Sequence, residues 1–137
     1  MNPLKYEQIN LGDAASLDLL VTAETVEKYA ALIGDNNPVH LDEEFAANSF
    51  FRKRVAHGMI AAGLISAVLG MSLPGPGAIY LNQTLDFKRP VNLGERITAR
   101  VEVMEKLDKH KKIVLRTWVE NEAGQTVLEG QAQVLVR

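Results

Sequence analysis

The sequence predicts an α+β domain in which a curved antiparallel sheet wraps around one apolar helix. The segment from Met59 to Leu73 is apolar around nearly its whole circumference, and in a globular protein such a helix must be buried on almost every side. The second half of the chain switches to a period of two, which is typical of half-buried strands. Short turns separate these strands, so we expect an antiparallel meander with the helix as its filling.

Helix and loop dominate the first half of the chain. An amphipathic helix over residues 24–34 is predicted from apolar residues that recur on one helix face, namely Val26, Tyr29, Ala30 and Ile33. The other elements predicted here are a short strand over residues 16–21, a helical turn over 42–47 and a basic, irregular stretch over 51–54.

Four consecutive strands are predicted in the second half. They cover residues 79–87, 97–103, 112–120 and 126–136, and a glycine-containing hairpin loop at residues 122–124 joins the last two. A sheet of four or five strands leaves an edge exposed, so we expect the chain to pair with a second copy as a homodimer.

Composition excludes several classes of protein. With 137 residues, 47% of them apolar and 23% charged, the chain predicts one globular domain over residues 1–137. The net charge of −2 argues against nucleic acid as a partner. The absence of cysteine excludes a disulfide scaffold, a thiolate nucleophile and a cysteine-ligated zinc. The three histidines lie in separate segments, so no metal-ligand spacing is apparent.

The expected location is the cytoplasm. The amino-terminal residues 1–7 lack the apolar stretch of a secretory signal. The longest apolar run, residues 59–73, is interrupted by glycine and serine and is too short to span a bilayer comfortably, so no membrane partner is expected.

The strongest candidate for chemistry is the segment Gly34-Asp35-Asn36-Asn37-Pro38-Val39-His40. Pro38 should prevent the preceding helix from continuing, so Asp35 and His40 would lie on either side of a bend. A carboxylate and an imidazole brought together in this way can share one water, which is what addition or removal of water requires. The alternative is that Asp35 and the asparagines only form the turn.

A second candidate is His57-Gly58-Met59, at the start of the apolar helix. A helix start presents unpaired N–H groups, and Gly58 lets a ligand approach them closely because it has no Cβ. A thioester carbonyl bound there would be polarised. The alternative is that His57 caps the helix and Gly58 eases a turn.

Together these motifs resemble the MaoC-like hot-dog family, and most closely its short, single-domain (R)-specific enoyl-CoA hydratases. The resemblance covers roughly residues 12–136. The matching segments are Gly34-Asp35-Asn36-Asn37-Pro38-Val39-His40-Leu41-Asp42, Ala56-His57-Gly58-Met59, Leu73-Pro74-Gly75-Pro76-Gly77-Ala78-Ile79-Tyr80-Leu81, and Leu85-Asp86-Phe87-Lys88-Arg89-Pro90-Val91-Asn92-Leu93-Gly94-Glu95.

The resemblance implies a hot-dog homodimer that adds water to a trans-2-enoyl-CoA and releases the (R)-3-hydroxyacyl-CoA, with no metal or organic cofactor. Its catalytic pair maps onto Asp35 and His40, which would contact the water that attacks the β-carbon while a proton reaches the α-carbon on the same face. Which of the two removes the proton stays open. Gly58 would donate its N–H to the thioester oxygen.

Other residues are candidates for contacts to the acyl chain and to the phosphates of CoA. Gly63 and Ser66 can share the inner face of the helix along which the acyl chain should lie. Short-chain relatives carry a larger polar residue in place of Gly63, so glycine indicates a longer acyl pocket or, equally, close helix–sheet packing. Asn37 orients Asp35 or simply favours the bend. The candidates for the CoA phosphates are Arg52, Lys53, Arg54, Lys88 and Arg89.

Three other functions stay open from the sequence. The first is a dehydratase of 3-hydroxyacyl thioesters, with an acyl carrier protein as an alternative carrier to CoA, since the reaction is reversible. The second is a hot-dog acyl-CoA thioesterase, and the third is a non-catalytic acyl-CoA binding protein. An (R)-hydroxyacyl product would suit polyester (polyhydroxyalkanoate) storage, oxidation or a specialised synthesis.

Overall fold

A computed structural model describes residues 3–137 of the chain. The first two residues of the predicted domain, and of the amino-terminal stretch that lacks an apolar run, lie outside the described residues. No helix within residues 3–137 combines the length and the apolar character needed to cross a bilayer.

In the part of the chain that the structure describes, six strands form one antiparallel sheet. Its order is β1-β4-β5-β6-β2, and the two-residue strand β3 also pairs with β6. The strands are β1 (Ala14–Leu20), β2 (Ile79–Gln83), β3 (Asp86–Phe87), β4 (Arg96–Leu107), β5 (Lys112–Glu120) and β6 (Thr126–Leu135).

The sheet confirms the predicted strands but not the predicted meander of all four. Only β4, β5 and β6 are consecutive neighbours. The predicted strand over residues 79–87 is divided into β2 and β3, and both pair with β6 rather than β4. The amino-terminal strand β1 takes the place beside β4. Periodicity shows which residues form strands, but it does not show which strands become neighbours across a long connection.

Gly130 explains how β2 and β3 pass over the same strand. A Cβ at Gly130 would lie 1.8 Å from the carbonyl oxygen of Thr84, the residue just after β2. Thr84 also donates its N–H to the Gln131 carbonyl at 2.9 Å. Only a glycine lets the chain cross this closely, and the crossing brings Phe87 towards the start of the central helix.

Within residues 3–137, four α-helices accompany the sheet. They are α1 (Ala23–Ile33), α2 (Pro38–Leu41), α3 (Glu43–Ala47) and α4 (Gly58–Met71). The central helix α4 packs on β1, β4 and β5. Fully buried side chains of α4 and the sheet, such as Ile65, Val101 and Leu115, form one apolar core.

The expectation that α4 is buried on almost every side is wrong for the single chain. One face of the helix, carrying Met59, Gly63 and Ser66, is exposed, and half of the Met59 surface (50%) is accessible. The sheet curves around the opposite face only. The sheet therefore buries one apolar face of α4, and the opposite apolar face stays exposed in the single chain.

Candidate active site

Asp35 lies in an exposed turn just after α1. The helix ends at Ile33, and Gly34 follows in the left-handed conformation (φ 85°) that glycine adopts readily at a helix C-terminus. The predicted helix over residues 24–34 is confirmed to within one residue at each end, but Gly34 ends it, four residues before Pro38, to which the ending was attributed. The Asp35 Oδ1 atom accepts a hydrogen bond from the Asn37 N–H at 3.3 Å, which bends the turn back on itself.

Pro38 begins a new helix instead. It occupies the first position of α2, where a proline is well tolerated because its missing N–H would be unpaired there in any case. The Asn37 Oδ1 atom accepts from the Val39 N–H at 3.1 Å and caps this helix. Of the two roles considered for Asn37, the geometry favours that of a turn and cap residue. One helical turn then carries His40 back towards Asp35.

The tautomer of His40 follows from its surroundings. The Nδ1 atom lies 2.7 Å from the Val55 carbonyl oxygen, and a carbonyl can only accept, so Nδ1 carries a proton. In the neutral ring Nε2 then presents a lone pair. The Arg54 Nε–H donates to the His40 carbonyl at 2.7 Å, so both the ring and the backbone of His40 are held by residues 54–55.

The fold brings Asp35, His40 and His57 together. A carboxylate oxygen of Asp35 and one ring nitrogen of each histidine all lie within 4.8 Å of one another. The His40 and His57 rings stack with centroids 3.8 Å apart, and Tyr29 packs on His57 at 4.7 Å. Asp35 is exposed, His40 is half-buried and His57 is buried. The predicted pair is therefore close enough to share one water.

The same three side chains could in principle bind a divalent cation, although their linear spacing gave no sign of it. Two imidazoles and a carboxylate are common ligands of transition metals. Each imidazole already uses one nitrogen on a backbone carbonyl, which leaves His40 Nε2 and His57 Nδ1 as the available atoms. This arrangement serves acid–base chemistry equally well, because it fixes both tautomers.

Gly58 is the first residue of α4, where the N–H groups of the first turn have no partner within the helix. A Cβ at Gly58 would lie 2.8 Å from Cε1 of Phe87, so any side chain would displace that ring. The absence of a side chain therefore keeps the Phe87 ring against the start of the helix. The unpaired N–H groups of the first turn and the positive end of the helix dipole both attract a partial negative charge at the start of α4.

Two cavities flank the start of α4. The first, of about 460 Å³, is lined by His40, Gly58 and Phe87 and has Lys88 and Arg89 on its wall. The second, of about 490 Å³, lies against the exposed face of the helix. Its lining includes Tyr29, Met59, Gly63, Ser66 and Leu81.

Gly63 borders open space in the single chain. A Cβ at this position would meet nothing within 4 Å among residues 3–137. Close helix–sheet packing therefore does not explain the glycine here, and the alternative of a longer acyl pocket stays a prediction. Ser66, which follows one turn later on the same face, lines the same cavity.

The basic residues proposed for CoA divide into two groups. Arg54 points inward, with its side chain only 11% exposed and in contact with Glu43 at 3.3 Å. Its place among the phosphate-binding candidates was wrong, since it holds the His40 backbone instead. Arg52, Lys53, Lys88 and Arg89 are exposed, and of these only Lys88 has an ion-pair partner within residues 3–137, Glu129 at 3.7 Å.

Sequence reasoning missed three contributors to the site. Arg54 and Val55 hold His40, and Phe87 covers Gly58. Each is far in sequence from the residue that it contacts, and no local motif marks such a pairing.

Comparison with known proteins assigns the chain to a family. The MaoC like domain matches residues 11–125, so the chain belongs to the MaoC-like family. The family and the hot-dog fold predicted from the motifs are thereby confirmed.

Three relatives resemble nearly the whole chain. An (R)-specific enoyl-CoA hydratase of Rhodospirillum rubrum is 45% identical, over 96% of this chain and 90% of its own. A 3-hydroxybutyryl-CoA dehydratase of Methylorubrum extorquens is 41% identical, over 97% and 84%. The solved structure of an (R)-hydratase from Aeromonas caviae, described as involved in PHA biosynthesis, superposes with a TM-score of 0.93 at 39% identity, over 96% and 99%.

Proposed function

We propose that this protein is a hydro-lyase that adds water to a trans-2-enoyl-CoA and forms the (R)-3-hydroxyacyl-CoA. The observation that carries the proposal is the approach of the Asp35 carboxylate to a ring nitrogen of His40, within 4.8 Å, beside the amino-terminus of α4. The relative of Rhodospirillum rubrum, named as an enoyl-CoA hydratase of this stereospecificity, supports the same reaction.

The chemistry needs one water held between Asp35 and His40. The oxygen of this water bonds to the β-carbon, while its proton passes to the Asp–His pair. The electrons of the double bond shift towards the thioester, and the negative charge that develops on the thioester oxygen is stabilised by the Gly58 N–H and the helix dipole. The pair then delivers a proton to the α-carbon, so the reaction leaves the enzyme unchanged.

The two groups act as one proton-transfer unit. The fixed Nδ1 proton of His40 leaves Nε2 as the ring atom that exchanges protons. Since one water would contact both Asp35 and His40, we assign the transferred proton to the pair rather than to either residue alone.

The acyl chain fits the cavity along α4. Gly63 and Ser66 line this cavity, and the open space beside Gly63 leaves room for chains longer than four carbons. The cavity that contains His40 and Gly58 leads to Lys88 and Arg89, so the pantetheine arm and the phosphates of CoA would leave on that side.

A second copy of the chain would cover the exposed apolar surface. Strand β2 is an edge strand, and Ile79, Tyr80 and Leu81 are each more than 40% exposed. Met59 and Gly63 of α4 border the same surface. Burial of Met59 and the exposed β2 side chains against an identical surface would close the outer side of the acyl cavity without filling it. Light scattering at micromolar concentration should therefore give the mass of a homodimer.

The reverse reaction is the second candidate function. The Methylorubrum extorquens relative is named as a dehydratase of 3-hydroxybutyryl-CoA, and one site must catalyse both directions. An (R)-3-hydroxyacyl-CoA made in the cytoplasm would suit supply of a polyester precursor, as the description of the Aeromonas caviae enzyme suggests.

A spectrophotometric assay tests the proposal. Loss of the enoyl-thioester absorbance should follow addition of enzyme to enoyl-CoAs of graded length, without release of free thiol and without sensitivity to EDTA. Thiol release without hydration would identify a thioesterase instead. Activity on an acyl carrier protein thioester but not on the CoA ester would show that the substrate is the carrier-protein thioester. Tight binding of acyl-CoA without turnover would indicate a binding protein.

A further inference from the structure

His57 is buried at the start of α4 but does not cap the helix. Its side chain is only 4% exposed, and it makes no hydrogen bond to the first-turn N–H groups of α4. Serine, asparagine or aspartate at this position would cap the helix and stabilise it by about 1 kcal/mol. The capping role considered for His57 is therefore wrong, and another interaction must account for the residue.

That interaction is with the backbone of Asp35. The His57 Nε2 atom lies 2.9 Å from the Asp35 carbonyl oxygen, so Nε2 carries the proton and donates it. In the neutral ring Nδ1 is then an acceptor, and it is buried without a hydrogen-bond partner within residues 3–137. An unpaired buried polar atom costs stability, so the ring is not explained by stability alone.

The turn that carries Asp35 depends on this one contact. Within the described chain, the other hydrogen bonds of residues 35–37 are local and reach no further than His40. Among residues 3–137, the bond from His57 is the one hydrogen bond that links residues 35–37 to a segment beyond His40. Without it, the exposed Asp35 carboxylate would be fixed only by the short turn itself.

His57 is itself held firmly. The rings of Tyr29 and His40 pack against it, with centroids at 4.7 and 3.8 Å. The neighbouring Ala56 N–H donates to the Val91 carbonyl at 2.8 Å. His57 therefore forms a rigid link from α4 to the Asp35 turn.

We propose that His57 is a positioning residue that acts through Asp35. By holding the Asp35 carbonyl, it sets the direction of the carboxylate relative to His40 Nε2 and to the N–H of Gly58, the residue that follows it in the chain. The acid–base pair and the thioester-binding N–H are thereby kept in one geometry. This proposal rests on the proposed hydratase function.

Substitutions of His57 test whether its Nε2–H donor positions Asp35. His57→Phe keeps a planar ring between Tyr29 and His40 but lacks the donor, and it should lower kcat by about 10- to 100-fold with KM changed by less than about threefold. His57→Gln places an amide N–H near the position of Nε2, whereas His57→Asn is one bond too short. We expect Gln to exceed Asn in kcat by about tenfold, a comparison that stays informative if the phenylalanine variant fails to fold. His110→Phe, in an exposed turn, is the matched control and should keep the wild-type rate.

A double-mutant cycle tests whether His57 acts through Asp35. In an Asp35→Ala background, His57→Phe or His57→Asn should lower the residual rate by no more than about twofold, because the group being positioned is gone. Equal losses with and without Asp35, wild-type kcat in His57→Phe, or equal rates for Gln and Asn would each overturn the proposal. Wild-type protein with no hydratase activity would overturn the proposed function instead, so the two failures are distinguishable.

Discussion

The Nδ1 atom of His40 lies 2.7 Å from the carbonyl oxygen of Val55, and this contact determines which ring nitrogen can exchange protons. Because the carbonyl accepts the Nδ1 proton, Nε2 is left to meet the Asp35 carboxylate and the reacting water. Val55 is fixed in turn by a bridge to Asn92. The orientation of the His40 ring is therefore set by residues 55 and 92, which lie outside its own helix.

Removal of either member of the acid–base pair should abolish most of the activity. Asp35→Ala and His40→Ala should each lower kcat by about 10²-fold or more, because positioned acid–base groups contribute on this scale. Steady-state kinetics with crotonyl-CoA measure the effect. The matched control is His110→Ala, an exposed histidine outside the site.

The same variants should keep their fold. Asp35 is exposed and His40 is half-buried, so neither truncation opens the apolar core. The melting temperature and the oligomeric mass should stay close to those of the wild type. Wild-type rates in both variants would remove these residues from the chemistry.

Gly63 should control acyl-chain length. Gly63→Leu fills open space in the cavity beside α4, so it should lower kcat/KM for octenoyl-CoA by about tenfold or more and leave crotonyl-CoA within about threefold. Gly63→Ala should give an intermediate preference and, as a glycine replaced within a helix, should raise stability by up to about 1 kcal/mol. Equal losses for both substrates would show that the acyl chain does not enter this cavity.

Arg89 should contribute to binding of CoA but not to chemistry. It is exposed and lies on the wall of the cavity that contains His40, so Arg89→Gln should raise KM for crotonyl-CoA by about two- to fivefold, the range that an exposed ion pair supports. The effect should shrink in high salt.

The truncated substrate supplies the control for Arg89. Crotonyl-pantetheine has no adenosine phosphates, so its kcat/KM should be unchanged by Arg89→Gln. Lys109→Gln, in the exposed turn before β5, should affect neither substrate. A loss of equal size with crotonyl-pantetheine would argue against a phosphate contact.

Gly130→Ala should destabilise the sheet. An added Cβ would lie 1.8 Å from the Thr84 carbonyl oxygen, so the backbone must shift, at a cost of about 1–3 kcal/mol or more. Urea denaturation measures the change. Gly70→Ala is the matched control, because a Cβ there meets nothing within 4 Å, and it should be neutral or stabilising. An unchanged unfolding midpoint for Gly130→Ala would show that the crossing of Thr84 is not this close in solution.

Local patterns in the sequence predicted local structure well. The apolar run predicted α4, and the period of two predicted β4, β5 and β6 to within a few residues at most ends. The end of α1 was predicted to within one residue, but Gly34 ends the helix and not Pro38, to which the ending was attributed. Gly34 and Pro38 lie close together, and the sequence alone does not show which of two valid helix-ending residues acts first.

Contacts between distant residues could not be predicted in the same way. The Asp–His pair was found because both residues lie in one short motif. The bond from His57 to the Asp35 carbonyl spans 22 residues, and Arg54 reaches the His40 carbonyl across 14. Both depend on where residues 54–57 run in space, which is set by their pairing near Val91 and Asn92 and leaves no periodic trace.

The stereochemistry of addition tests the central claim most directly, because one water held by Asp35 and His40 can reach only one face of the double bond. Crotonyl-CoA should be hydrated in D₂O and the product analysed by NMR and chiral separation. We predict the (R) configuration at C3, with deuterium at C2 added to the same face as the hydroxyl. An (S) product, or addition to opposite faces, would contradict delivery of both groups by this pair.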